Sequence, residues 1–405
     1  MTSGSYWLAC RRCGSTRPAG PIDYRCAMCS GELTVRFAER SALTVAGTGM
    51  WRFIERLPVS EPAAVVSLGE GDTPVVGLGE STRRLLGVQS AGLKCEHLNP
   101  TGSFKDRIAS VAVSIAVERG LPGLAGTSSG NGGAAAAAYC ARAGLPLTLL
   151  SLSDVAPQKL LQIRSFGAQV LIVGGLGHDA ASTEAAAMAV AEHAAAAGVF
   201  PFLTGGRYSP EAMEGAKTIA YEIAEQVPQA TVVYAPVGGG GLVAALGRGF
   251  AEVAAAGRPI PRIVAVQPRG CATLRAALTG NFDGLDGLCT STISGLQVAQ
   301  LFDGYGAVEA ITDTGGYLVE VDDADVWSAQ RLLARDSGLL LEPAGATALA
   351  GALADSANLG AEDQVVVLGT GAGYKDSAAL AQLAGFEAVR TIGVAQIREV
   401  LGART

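Results

Sequence analysis

The chain has 405 residues, of which 49% are hydrophobic and 17% charged, with a formal net charge of −7. That balance excludes a disordered polymer and disfavours general affinity for nucleic acid, whose phosphates select basic surfaces. The opening MTSGSYWLACRRCG lacks the apolar core of a secretion signal, and no apolar run free of glycine and charge reaches the roughly 18 residues a membrane span needs, so a cytoplasmic protein of two or three domains, without membrane partners, is expected.

The first feature in chain order is Cys10, Cys13, Cys26 and Cys29, spaced C-x2-C-x12-C-x2-C. In a reducing compartment this is not a disulfide framework, and two such knuckles fit tetrahedral zinc–thiolate geometry. Arg11, Arg12 and Arg25 would favour thiolates, and Gly14 permits a tight turn after the first pair. Four protein ligands would close the site, so any zinc is structural. Residues 1–35 are therefore expected to form a zinc-ribbon-like segment; four ordinary thiols are the alternative. Cys95, Cys140, Cys271 and Cys289 are scattered, and the first two read as buried thiols.

A segment of mixed charge follows, about 31–62, with Trp51 as its largest apolar anchor. The pattern then changes. Strand-like runs at 147–152, 169–175, 231–241, 262–268, 317–321 and 364–371 alternate with Ala-rich helical segments, among them 178–198 and 212–226. Short apolar runs separated by helices predict an α/β fold with parallel sheets.

Four stretches carry chemistry. In NPTGSFKDR, Asn99 to Arg107, Lys105 stands just inside a glycine turn that opens a helix. Thr127-Ser128-Ser129-Gly130-Asn131-Gly132-Gly133 precedes another helix, where backbone N–H groups and the helix dipole favour a carboxylate or a phosphate. Gly238, Gly239, Gly240 and Gly241 follow a strand and offer an amide nest suited to phosphate; the run is neither a Walker loop nor a complete G-x-G-x-x-G signature. Gly369-Thr370-Gly371 ends the 364–371 run, and strand ends of open α/β sheets are where ligands sit. Each loop alone could be a plain turn. Together with Lys105 they suit an aldehyde cofactor with a phosphate tail, the lysine supplying the Schiff-base amine.

This motif set resembles the fold-type II pyridoxal-phosphate enzymes of the tryptophan synthase β-like superfamily, over roughly 65–376. Within it, LGEGDTPVV (68–76), NPTGSFKDR (99–107) and GTGAGYKD (369–376) look most like threonine synthase, and a four-cysteine ribbon is also seen in some such members. The resemblance implies two three-layer domains with pyridoxal 5'-phosphate in the cleft between them. Residues 36–100 and 206–405 would form the large cofactor domain, 101–205 the small domain that binds the substrate carboxylate. Lys105 would be the Schiff-base lysine and proton carrier, with Phe104 packing near the cofactor. Asn131 would bond the ring oxygen, Gly238 to Gly241 would wrap the phosphate, and Thr370 would face the pyridine nitrogen. Ser128, Ser129, Gly130 and Asn131 would hold the substrate carboxylate. A neutral Thr370 leaves the ring a weak electron sink, which favours elimination or replacement at Cβ or Cγ. A homodimer acting on a small amino acid is implied, with O-phosphohomoserine going to threonine and phosphate.

The match departs at residues 204–215. Threonine synthases usually place an arginine three residues before a glycine there, where this chain has Ala212 before Gly215. Arg207 could compensate, with Arg107, Lys159 and Arg164 as other candidates. PVGGGGL (236–242) is more typical of threonine and serine dehydratases and serine racemase. A β-replacement synthase or ammonia-lyase acting on serine, threonine, O-phosphoserine or a specialised amino acid is therefore an alternative. A cofactor-binding paralogue without catalysis is another, opposed by intact Lys105, Asn131 and Thr370. His193 reads as a surface residue, His178 as a helix cap and His97 as a packing residue.

Overall fold

Apolar runs buried on both faces can be satisfied only inside a sheet that is covered on both sides. The computed structural model builds two such sheets; it describes residues 6–20, 24–38, 47–128, 130–152, 155–174, 176, 180–280, 289–299, 301–385 and 391–402. At the amino-terminal end, β1 (Tyr6–Cys10), β2 (Thr16–Pro18) and β3 (Leu33–Phe37) form an antiparallel sheet in the order β2-β1-β3. Tyr6, Leu8 and Cys10 are buried while Trp7 is exposed, the period-two alternation of a sheet with one wet face.

Next come β4 (Val75–Gly77) and β5 (Ser90–Lys94), then β6 (Leu124–Thr127), β7 (Leu147–Ser151), β8 (Gln169–Ile172) and β9 (Phe200–Phe202). The last four make a wholly parallel sheet in the order β8-β7-β6-β9. Finally β10 (Val232–Pro236), β11 (Arg262–Pro268), β12 (Tyr317–Val321) and β13 (Gln364–Leu368) join β5 and β4 in a six-stranded sheet ordered β12-β11-β10-β13-β5-β4. Only the β4–β5 pairing in that sheet is antiparallel.

The expected α/β class holds, and six predicted runs become β7, β8, β10, β11, β12 and β13. The helical segments are found at Ala180–Ala197 and Pro210–Gln226. The other four strands of these two sheets lie outside the six predicted runs. β5 and β6 contain glycine, β9 contains Pro201, and β4 has three residues. Their compositions have local causes. A Cβ at Gly126 would lie 2.2 Å from the Phe202 carbonyl oxygen, so β6 and β9 can approach only with glycine there. Pro201 is tolerated because β9 is an edge strand.

The Lys105–Glu118 helix is buried from Asp106 through Ala116, and its polar residues are accounted for. Ser110 Oγ donates to the Val66 carbonyl at 2.8 Å, and the Val66 N–H donates to Ser114 Oγ at 2.8 Å. Trp51 anchors its segment by donating to Glu70 Oε1 and to Ser110 Oγ, both at 2.8 Å. Cys95 and Cys140 are buried thiols, as expected. Cys271 and Cys289 form a disulfide, a pairing their sequence spacing does not suggest. Among the described residues no helix is long and apolar enough to cross a membrane.

Candidate active site

The Lys105 turn is locked onto the end of β13. The Phe104 N–H donates to the Thr370 carbonyl at 3.2 Å, and the Ala372 N–H donates to the Gly102 carbonyl at 2.9 Å. Gly102 sits at φ +89°, and a Cβ there would meet the Tyr374 hydroxyl at 2.5 Å, so both its conformation and its surroundings require glycine. Lys105 begins the helix with Nζ 4.6 Å from the centroid of the Phe104 ring. Among the described residues no hydrogen bond or ion pair reaches that amine. Burial pulls its pKa down to about 8, against the charge of Asp303, which pushes it back up.

Arg107, two residues on, is not available to a ligand. It is 0% exposed and donates to both Glu96 and Glu222, at 2.7 and 2.6 Å for the closest contacts. Lys94, also 0% exposed, completes the cluster against Glu222 at 2.5 Å. Asp106 accepts from the Thr101 hydroxyl at 2.8 Å, and burial raises its carboxyl to about 7. His97, expected to pack, is buried in the short turn Glu96–Leu98 with its pKa lowered by burial; His193 is exposed. His178 lies outside the described residues.

The second loop delivers Asn131 as the first residue of the Asn131–Ala143 helix. Its Nδ2 donates to Glu342 Oε1 at 2.5 Å, while its buried Oδ1 has no hydrogen-bond partner among the described residues. Ser128 Oγ accepts the Gly133 N–H at 2.7 Å and so holds its own loop. Gly130 is the helix's capping residue; Ser129 lies outside the described residues. Thr370 is 5% exposed at the end of β13.

The third loop, Gly238 to Gly241, leads from β10 into the Gly241–Ala255 helix, whose first-turn N–H groups have no intrahelical acceptor. A Cβ at Gly238 would lie 3.1 Å from Val298 Cγ2, at Gly239 3.0 Å from the Phe302 ring, and at Gly241 2.7 Å from Asp303 Oδ2. The loop is thus a narrow amide-lined hollow that side chains would fill.

The other candidate cations differ in use. Arg207 pairs with Glu184 at 3.0 Å and lies over the Tyr208 ring. Arg164 is exposed. Lys159, 2% exposed, pairs with Glu342 Oε2 at 3.0 Å and lies 3.3 Å from Ser294 Oγ. Two residues carry no sequence signal for a site role: Glu342, just before the Pro343–Ala354 helix, and Asp303, in a run without periodicity. Asp303 accepts the Gly206 N–H at 2.7 Å beside the glycine loop, and burial raises its pKa.

At the amino-terminal end the Sγ atoms of Cys10, Cys13, Cys26 and Cys29 lie within 4.8 Å of one another. The Ser15 hydroxyl, 3.1 Å from Cys26 Sγ, pulls that thiol down to about 6. Four sulfur donors suit a soft tetrahedral ion.

The cleft residues fit an aldehyde cofactor with a phosphate. Among the described residues there is a buried amine without a hydrogen-bond partner at Lys105, a buried acceptor without one at Asn131 Oδ1, and a glycine hollow at a helix start. Comparison with known proteins agrees. The family model described as "Pyridoxal-phosphate dependent enzyme" matches residues 66–371. The threonine synthase of Methanocaldococcus jannaschii is 33% identical over 386 residues, covering 91% of this chain and 92% of that one. The threonine synthase of Methanosarcina acetivorans is 30% identical over 414 residues, covering 98% of each. Among solved structures, isoform 2 of threonine deaminase from Solanum lycopersicum superposes with a TM-score of 0.63 at 23% identity, covering 87% of this chain and 99% of that one. Maize serine racemase shares the fold, with a TM-score of 0.61 at 22% identity over 82% and 92% of the two chains.

Proposed function

Because this chain belongs to the pyridoxal-phosphate dependent enzyme family, we propose that it is a threonine synthase-like lyase which removes a leaving group from Cβ or Cγ of an amino acid and adds a nucleophile, with O-phosphohomoserine going to threonine and phosphate. The carrying observation is the buried Lys105 amine, free of hydrogen bonds and ion pairs among the described residues, in a chain whose threonine synthase relatives match it over nearly full length. When bound, pyridoxal phosphate supplies the electron sink for chemistry at the substrate α-carbon.

In this reading Lys105 Nζ holds the cofactor and then moves protons at Cα and beyond. Asn131 holds the ring oxygen, which would give its orphaned acceptor or its amide N–H a partner. The amides of Gly238 to Gly241 hold the phosphate, Phe104 packs beside the ring, and Thr370 faces the ring nitrogen. Ser128, Ser129 and Gly130 take the substrate carboxylate, and Arg207 would have to leave Glu184 to meet a substrate phosphate. The division into 36–100 with 206–405 and 101–205 is supported by the four-stranded sheet, all of which falls within the second stretch. Closure of that smaller part over the cleft would exclude water. We also propose a cytoplasmic homodimer.

Incubating the cofactor-loaded enzyme with O-phosphohomoserine should release phosphate and threonine in equal amounts. Ammonia and an oxo acid from serine or threonine, with no reaction on O-phosphohomoserine, would instead establish the dehydratase reading. One observation favours that second reading: Arg107 and Arg207 are both paired with carboxylates inside the chain.

Two further results are expected. Only the neutral amine attacks an aldehyde, so condensation of Lys105 with pyridoxal phosphate should accelerate as pH rises through about 8 and level off above it. A stopped-flow profile whose inflection lies near the ordinary lysine pKa would contradict the burial argument. The purified protein should carry one zinc per chain by elemental analysis, and Cys26→Ser should lose it.

A further inference from the structure

The four-cysteine segment takes no part in the chemistry just described, yet it is tied to both elements that flank the glycine hollow. The first is the start of the Pro210–Gln226 helix. Glu211, 0% exposed in its first turn, accepts a hydrogen bond from Tyr6 Oη at 2.7 Å and another from Tyr24 Oη. Arg119 forks onto the same carboxylate at 2.5 and 3.1 Å and also donates to Tyr6 Oη at 2.9 Å. The second is the Gly304–Asp313 helix. Arg11, between the first two cysteines, pairs with Glu309 on that helix at 2.5 Å.

Between these two anchors lies the contact that walls the hollow. Asp303, just before the second helix, accepts the Gly206 N–H four residues before the first. The Asp303 carbonyl oxygen lies 3.2 Å from where a Cβ on Gly240 would stand, and its N–H donates to the Gly239 carbonyl at 2.9 Å. Leu33, Thr34 and Val35 of β3 line the crevice directly behind Gly206 and Asp303. An appendage that served only stability could dock through apolar contact, as Tyr24 does against Phe200. A buried carboxylate with three donors adds direction: it is satisfied in one arrangement and costly in others.

We infer that the ribbon is a clamp which fixes the spacing between the Gly206 turn and Asp303, and that Glu211 is a positioning residue for the cofactor phosphate. The inference rests on the proposed reading of Gly238 to Gly241 as the phosphate site. It makes the amino-terminal segment a determinant of cofactor affinity at a site to which it contributes no ligand.

The test uses the full chain, stripped of cofactor and titrated with pyridoxal phosphate, with zinc content measured alongside. Glu211→Gln and Arg11→Ala cut one anchor each. Arg11 and Glu309 are 21% and 60% exposed, so the second variant should fold even if the first does not. Each is expected to keep its zinc, to shift the 31P resonance of the bound phosphate and to bind pyridoxal phosphate more weakly. The loss is about tenfold in Glu211→Gln, where a buried charge-assisted contact is lost, and about two- to fivefold in Arg11→Ala, where the pair is partly exposed. Cys26→Ser should lose zinc and show the same two changes. Wild-type affinity with an unshifted resonance in Arg11→Ala and in folded Glu211→Gln overturns the clamp and leaves the phosphate site standing. A wild-type chain that binds pyridoxal phosphate without any perturbation of its 31P resonance overturns the phosphate site, and the clamp with it.

Discussion

Lys105→Ala should abolish turnover, with a loss of at least about 10³-fold, the scale of a lost proton carrier alone. The visible absorbance of lysine-bound pyridoxal phosphate should vanish with it. The reason lies in how the turn is built. Gly102 lets the chain hook under Tyr374, the Phe104 N–H is fixed to the Thr370 carbonyl, and the amine emerges into a buried space with only the Asp303 charge acting on it. Lys105→Arg should fail equally, because a guanidinium keeps its proton throughout the working pH range and cannot attack an aldehyde. Steady-state assays with an absorbance scan decide the matter. A visible band that survives in Lys105→Ala would mean that another lysine holds the cofactor, and Lys159 and Lys375, both 2% exposed, would be next to test.

The second large effect falls on stability. Arg107→Met should lower the unfolding free energy by about 3–5 kcal/mol, the cost of stranding buried carboxylates. Glu96 and Glu222 are both 0% exposed and share this one guanidinium, with Lys94 as the remaining cation. Burial alone would raise the Glu222 carboxyl, but the charges of Arg107 and Lys94 prevail and hold it at about 2. Its native pKa is therefore below the unfolded value. The stabilisation it provides is complete above the ordinary carboxylate range and is lost as pH falls through about 2. In Arg107→Met the cost belongs to the ionised carboxylates, so the deficit should be largest near neutrality and shrink as they protonate. Urea titrations of both proteins across that range measure it; a deficit independent of pH would point to packing rather than charge.

What could be read from the chain, and what could not, divides along physical lines. Strands rich in β-branched residues, such as β11 and β13, announce themselves because every side chain after the first residue is buried. β6 and β9 do not, because Gly126 answers to the Phe202 backbone across the sheet and Pro201 to the edge position of its strand. The lysine turn and the glycine loops were legible because their conformations demand glycine in clusters. The use of Arg107 was not: Glu96 lies only 11 residues before it, but its other carboxylate partner, Glu222, is 115 residues away, and only folding brings the three together. Asp303 and Glu342 were hidden for the same reason, one in an aperiodic run and one at the start of an ordinary helix. The Glu211 contacts join the amino-terminal segment to residues nearly two hundred positions away or more.

The order of strands in the larger sheet also bears on how the molecule comes to exist. β5, which precedes the Lys105 turn, has β13 as its parallel neighbour, and Ser90 is in register with Gln364. A nascent chain therefore exposes one half of the cleft long before its other half has been synthesised. The four-stranded sheet lies wholly between them and can assemble from contacts of shorter sequence separation. β13 follows the other described strands in the chain, and it is also the strand whose end carries Thr370 and anchors the lysine turn, so the Lys105 turn gains its fixed geometry only once β13 has been synthesised. Until then the backbone bonds that hold the turn, from the Phe104 N–H to the Thr370 carbonyl and from the Ala372 N–H to the Gly102 carbonyl, lack their partners.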